Sequence, residues 1–278
     1  MDSEIAALEL LSSGRKISIN RLGGRIQSFS LNSKNVLMSS GVQTGSTFWP
    51  SPQSLWGWPP PKVIDQALYD IVKRSSQCIS LRSVVDEQHG VRVVKRITPI
   101  KNGVTIEYSI INESSEIITM APWEISRVAG GLTFYSADSG PEPQSTCPID
   151  YAADHYWYKY DAKELQGIPK IFANNTDGWL ANVNDGLLFL KLFPCVDPAE
   201  IAPSEAEVEI YAHADAKQPY IELEQQGPFK AIMPGMKTNW SVDWLLFDVP
   251  DNIPVKIGSF ELLDFVEEAF RVSENVVT

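Results

Sequence analysis

The chain has 278 residues, 44% of them hydrophobic, with 23 Lys plus Arg against 35 Asp plus Glu for a net charge of −12. That is the balance of a globular protein large enough to bury a core unaided, which excludes disordered, collagen-like and coiled-coil chains. The acidity argues against nucleic acid and anionic lipid as partners, because phosphate recognition needs clustered Lys and Arg, and no apolar run approaches the roughly 18 residues of a membrane span. Short stretches rich in Val, Ile, Phe, Tyr and Thr then follow one another between turn residues. They read as strands over residues 16–20, 25–31, 77–83, 91–98, 104–110, 179–183, 187–193, 208–212, 220–226 and 240–247. Asn102-Gly103 and Asn184-Asp185-Gly186 supply the positive φ of tight turns, so 92–99 with 104–111 and 179–183 with 187–193 read as hairpins. Helix is scarce; residues 260–272 carry the best helical spacing, with Ser259 in place to cap it. Strands at this spacing predict an all-β fold, a large antiparallel sandwich with a short C-terminal helix. With no linker or repeat in between, residues 1–278 read as one domain.

Residues 45–61 are the most unusual stretch. Trp49, Trp56 and Trp58, three of the eight tryptophans, sit there among five prolines (Pro50, Pro52, Pro59, Pro60 and Pro61). Proline removes backbone donors, so the stretch reads as a stiff loop and not as a central strand. Flat indoles beside the Gln53 amide suit a sugar, whose C–H face packs on a ring and whose hydroxyls need fixed partners. The alternative is that the indoles plug one end of the sandwich.

Two further segments hold acids on strands. In Ala121-Pro122-Trp123-Glu124-Ile125-Ser126-Arg127, period two puts Trp123, Ile125 and Arg127 on one face and Pro122, Glu124 and Ser126 on the other. Glu124 beside aromatic rings is a candidate acid–base group, or else the partner of a neighbouring Lys or Arg. In Tyr220-Ile221-Glu222-Leu223-Glu224-Gln225-Gln226, Glu222, Glu224 and Gln226 share a face. Two carboxylates so close repel unless a cation, hydroxyl donors or facing basic residues use them; otherwise the face is simply solvated. Of the three histidines, His213 ends the strand before Glu222 and is its candidate hairpin partner.

No histidine–acid cluster, Walker loop, GxGxxG or GxSxG occurs, so neither a metal nor a cofactor is expected. Cys78, Cys147 and Cys195 form no disulfide framework and fit a reducing compartment. The opening Met1-Asp2-Ser3-Glu4 lacks a basic then apolar leader, so a cytoplasmic location is expected.

Taken together, Gly23-Gly24-Arg25-Ile26, the Trp123-Glu124 segment and the late Tyr220–Glu224, Met233-Pro234-Gly235, Trp240 and Trp244 positions resemble the galactose mutarotase-like (aldose epimerase) superfamily. The likeness runs over residues 16–249. It is greatest to an uncharacterised branch with WPxPQ…WxWPPP, APWEIxR and LFxKxFP stretches, here residues 49–53, 56–61, 121–127 and 188–194. The resemblance implies a sandwich whose concave sheet binds a sugar or oligosaccharide, and a late Glu base with a mid-chain His acid that need no cofactor. The base maps onto Glu222 or Glu224. The mid-chain His is absent, which leaves Glu124 or His213 as the acid. Arg25, Arg127 and Lys191 are then candidate hydroxyl or carboxylate binders, beside Trp49, Gln53, Trp56, Trp58 and Trp123. The expected function is mutarotase or epimerase chemistry on a pyranose. The alternatives are a non-catalytic carbohydrate-binding protein and a glycan lyase or hydrolase.

Overall fold

The computed structural model describes residues 7–40, 43–136, 143–165, 167–174, 176–215 and 217–274; residues 1–4, read above for a leader, lie outside this set. In chain order the first strands are β1 (Leu8–Ser12), β2 (Arg15–Asn20), β3 (Arg25–Leu31), β4 (Lys34–Asn35), β5 (Ser46–Ser51), β6 (Asp70–Ser75) and β7 (Cys78–Arg82). Next come β8 (Val91–Ile100), β9 (Gly103–Asn112), β10 (Ile118–Val128), β11 (Leu132–Ser136), β12 (Gln144–Ser145), β13 (Asp150–Ala152) and β14 (His155–Lys159). The last are β15 (Lys170–Ala173), β16 (Trp179–Asn184), β17 (Leu187–Leu192), β18 (Val208–Ala212), β19 (Ile221–Gln226), β20 (Lys230–Ile232) and β21 (Lys237–Asp248). Helix α1 (Lys62–Asp65) is one turn and α2 (Phe260–Glu274) follows the last strand.

Among the described residues, eleven strands form one sheet in the order β1-β2-β3-β5-β10-β19-β18-β15-β12, with β4 beside β3 and β20 beside β10. Ten form the other, in the order β13-β14-β11-β16-β17-β21-β9-β8-β7-β6. The two expected hairpins are β8–β9 and β16–β17, and Asn102 and Asp185 take positive φ of 63° and 49° at their turns. Inward side chains from both sheets, among them Phe29, Phe48, Tyr108, Phe189, Leu223 and Trp244, make the main core. This is the all-β sandwich with a C-terminal helix that the strand pattern predicts.

The two outer faces differ. On the ten-stranded sheet, Leu188 and Leu190 point outward to α2, whereas Phe189 between them points into the core. The apolar stripe Leu262, Leu263, Val266 and Ala269 of α2 packs there against Phe134, Trp157, Trp179 and Leu245. The helix starts where expected, with the Leu262 N–H donating to Ser259 Oγ at 3.2 Å. The eleven-stranded sheet instead carries a small separate cluster of Trp49, Trp123 and Ile125, with Trp56 against it.

One expectation is corrected. Residues 46–51, read as part of a proline-stiffened loop, form β5 between β3 and β10. Pro50 lies directly opposite Pro122. Two prolines can face each other only at a non-hydrogen-bonded pair, so neither removes a bond from this ladder. On its other side β5 meets β3 only through Ser46 and Ile26, which leaves Pro50 on an effective edge where proline is tolerated. Gly45 permits that single close approach: its φ is +64°, and a Cβ there would stand 2.1 Å from the Ile26 carbonyl oxygen.

Candidate functional site

Period two on β10 decides which side chains meet. Trp123 lies opposite Trp49 of β5 and Gln226 of β19, Ile125 opposite Glu224, and Arg127 opposite Glu222. The register continues outward: Glu224 faces Glu209 and Glu222 faces Tyr211 on β18, while Lys170 and Phe172 of β15 face Tyr211 and Glu209. Five strands therefore contribute to one outer face of the eleven-stranded sheet. A cavity of about 610 Å³ opens on it. Of the residues singled out from sequence, Trp49, Gln53, Trp58, Trp123, His213, Glu222 and Glu224 line this cavity. Lys170, Phe172, Glu205, Tyr211 and Tyr220 line it too.

Two ion networks hold the floor. Arg127 Nε donates to Glu222 Oε1 at 2.7 Å and Nη1 donates to Thr47 Oγ1 at 3.3 Å, with the guanidinium 5.6 Å from the Trp49 ring centre. Lys170 bridges Glu209 and Glu224, the latter at 3.3 Å, while its ammonium lies 5.3 Å from the Trp123 ring centre and 5.2 Å from that of Phe172. Gln226 extends this network, donating to Glu209 Oε1 at 2.8 Å and accepting from Ser51 Oγ at 2.5 Å. Two carboxylates thus share one ammonium out of water. Burial pushes the Glu224 carboxyl up to about 7, Lys170 opposing and Glu222 adding to the rise. Burial, then repulsion from Glu224, pushes Glu209 well up too. Burial works against the Lys170 charge, but Glu224 and Glu209 outweigh it and hold the ammonium above its ordinary range.

The walls are aromatic. Trp58 is 64% exposed and stands edge-on to Trp49, ring centres 6.0 Å apart; Trp49 is in turn edge-on to Trp123 at 5.6 Å. The Trp49 indole N–H donates to Asp65 Oδ1 at 2.9 Å, which fixes its ring, whereas the buried Trp123 indole N–H finds no acceptor among the described residues. His213 stacks on Tyr220 at 4.5 Å, and its Nδ1 is 3.5 Å from the Tyr211 hydroxyl.

Five of the sequence candidates do not line the cavity. Glu124 and Lys191 are both 0% exposed and face each other across the sandwich, Nζ to Oε1 2.7 Å. Tyr108 and Trp244 donate to the same carboxylate at 2.5 and 2.9 Å, and Lys191 also donates to Ser126 Oγ at 3.0 Å. They are an interior tie between the sheets, because period two turns Glu124 away from the Trp123 face and Lys191 inward beside Phe189. Arg25 pairs with Asp65 at 3.2 Å and donates to the Thr44 carbonyl at 2.8 Å, which puts it behind Trp49. The Trp56 indole N–H donates to the Pro50 carbonyl at 2.7 Å, and its ring backs Trp49 and Trp123. Arg127 shares the cavity face but is fully buried, and acts on Glu222.

The sequence reading missed Lys170, Glu205, Glu209 and Tyr211. The signal for two of them was the alternation Val208-Glu209-Ile210-Tyr211, which puts an acid and a phenol on one face next to Glu222 and Glu224. Lys170 sits on a four-residue strand between Pro169 and Asn174, too short to register as periodic. Among the described residues no group of three or more His, Cys, Asp or Glu is placed to hold a metal ion, and no helix is long and apolar enough to cross a membrane.

A family model described as a domain of unknown function (DUF4380) matches residues 154–247, the segment that carries Lys170, Glu209, His213, Glu222 and Glu224. No curated protein matches the chain. Solved structures do. A galactose mutarotase-like protein from Lactobacillus casei ATCC 334 superposes with a TM-score of 0.66 at 10% identity, covering 87% of this chain and 100% of that one. A galactose mutarotase related enzyme from Lactobacillus acidophilus gives 0.65 at 9%, covering 90% and 100%. Slr1438 protein from Synechocystis sp. PCC 6803 gives 0.59 at 12%, covering 87% and 96%. At these identities the likeness is one of fold.

Proposed function

We propose that the cavity binds a pyranose and exchanges its anomers by acid–base chemistry of the aldose mutarotase or epimerase type, in the branch marked by the WPxPQ and APWE segments. The observation that carries this reading is convergence: Glu222, Glu224 and His213 line one aromatic-walled cavity with Trp49, Trp58 and Trp123. Exposed Trp58 offers a stacking face for the C–H side of a sugar ring. Glu224, held near 7, is matched to proton exchange at neutral pH and serves as the base. Glu222, aligned by Arg127, binds hydroxyls beside it. His213 serves as the acid.

The steps balance without a cofactor. Glu224 takes the anomeric hydroxyl proton as the bond between C1 and the ring oxygen breaks, and His213 delivers a proton to that oxygen. The C1–C2 bond of the open aldehyde rotates. Closure runs the transfers in reverse on the other face. A second reading, sugar binding without chemistry, is favoured by the ion pairs that already engage Glu222 and Glu224. Exchange NMR on glucose and galactose anomers separates the two. Catalysis predicts interconversion faster than in buffer, falling by about 10²-fold or more in Glu222→Gln/Glu224→Gln, as expected for loss of an acid–base group. Binding with an unchanged exchange rate supports the second reading.

A further inference from the structure

The polar atoms lining the cavity are lopsided. Glu205 Oε1 accepts the Gln53 backbone N–H at 2.8 Å, Glu222 Oε1 accepts from Arg127 at 2.7 Å, and Glu224 Oε2 accepts from Lys170 at 3.3 Å. The other oxygen of each carboxylate meets no protein donor among the described residues. Glu224 is only 1% exposed, so packing fixes the direction of its free oxygen. Both cations of the site already carry an ion pair, Arg127 to Glu222 and Lys170 to Glu209 and Glu224, and the one Arg127 nitrogen without an acceptor, Nη2, is buried out of reach of the cavity's contents. Four carboxylates, of Glu205, Glu209, Glu222 and Glu224, stand against two cations.

The rings favour the same sign. The ammonium of Lys170 already sits 5.3 Å from the Trp123 ring centre, the separation at which an aromatic face attracts a cation. An incoming phosphate or carboxylate meets free carboxylate oxygens and no exposed cation that lacks an acidic partner, a like-charge contact that disfavours it. We infer that the ligand carries a positive charge: the groove takes an amino sugar, a pyranose with a free ammonium group, in preference to neutral, phosphorylated or uronic sugars. This rests on the sugar reading above and adds to it the charge of the ligand. The ammonium sits against the free oxygens of Glu222 and Glu224, neighbours on one face of β19.

Calorimetric titration of the full chain near neutral pH with glucosamine, N-acetylglucosamine, glucose, glucuronate and glucose 6-phosphate tests it. Glucosamine is expected to bind at least about tenfold more tightly than N-acetylglucosamine and glucose, ~1.4 kcal/mol, with the gap narrowing at high salt. That preference is expected to collapse in Glu222→Gln/Glu224→Gln, its fold checked by circular dichroism, and to shrink in Glu205→Gln, which removes a rim charge should the double variant not fold. Neutral sugars binding as tightly as glucosamine, or an anionic sugar binding most tightly, overturns the charge assignment and leaves the sugar reading standing. Binding of none of the five removes both.

Discussion

Glu224 illustrates what burying an acid costs the fold. Its carboxyl is held near 7 in the folded chain, above its value in an unfolded one. Between those two values the native state binds a proton that the unfolded state has released, so stability is greatest below the unfolded value and declines as pH rises through the folded one. Glutamine keeps the shape and cannot ionise. Glu224→Gln is therefore expected to gain thermal stability relative to the parent on going from about pH 5 to about pH 8, read from melting temperatures at both. A relative stability that stays flat with pH, or moves the other way, contradicts the buried-acid account. The same substitution removes the proposed base, so gain in one property and loss in the other are expected together.

At the scale of one strand, β10 separates two kinds of charge. Arg127 on one face works on the cavity; Glu124 on the other is locked to Lys191 in the core. Lys191→Met leaves the Glu124 charge unpaired between the sheets and is expected to cost about 3–5 kcal/mol in urea unfolding. Combining it with Glu124→Gln is expected to recover most of that loss, since what destabilises is the uncompensated ion and not the absence of the pair. Equal losses in the single and double variants would refute this. The strand also marks how far the sequence could be read. Alternation gives the two faces of Ala121–Arg127 directly, but not which is inside, and hydropathy points the wrong way. The Trp123–Ile125 side looks like core, yet the Glu124–Ser126 side is turned inward, because Lys191, Tyr108 and Trp244 on the facing sheet satisfy it. That information lies 16 to 120 residues away along the chain and is invisible to a local pattern. The strands, hairpins and helix rest on local signals and were legible; β5, four-residue β15 and the Lys170–Glu209 bridge depend on register between distant strands and were not.

Over the whole molecule, the two sheets divide the labour. The ten-stranded sheet is sealed by α2, and the eleven-stranded sheet keeps its outer face for the cavity. Stability and binding are therefore separable by position. Leu262→Ala, which empties a fully buried site under α2, is expected to cost about 2–5 kcal/mol while leaving the proposed sugar binding unchanged, checked by unfolding and by titration below the melting range. A parallel loss of affinity would mean that the two outer faces are mechanically coupled.

The outward side of α2 carries Glu261, Asp264, Glu267 and Glu268, all exposed and all on the reverse of the molecule from the groove. An anchor fixed to that ridge would orient every copy on a sensor chip alike, with the indole-rimmed mouth turned to the flowing analyte.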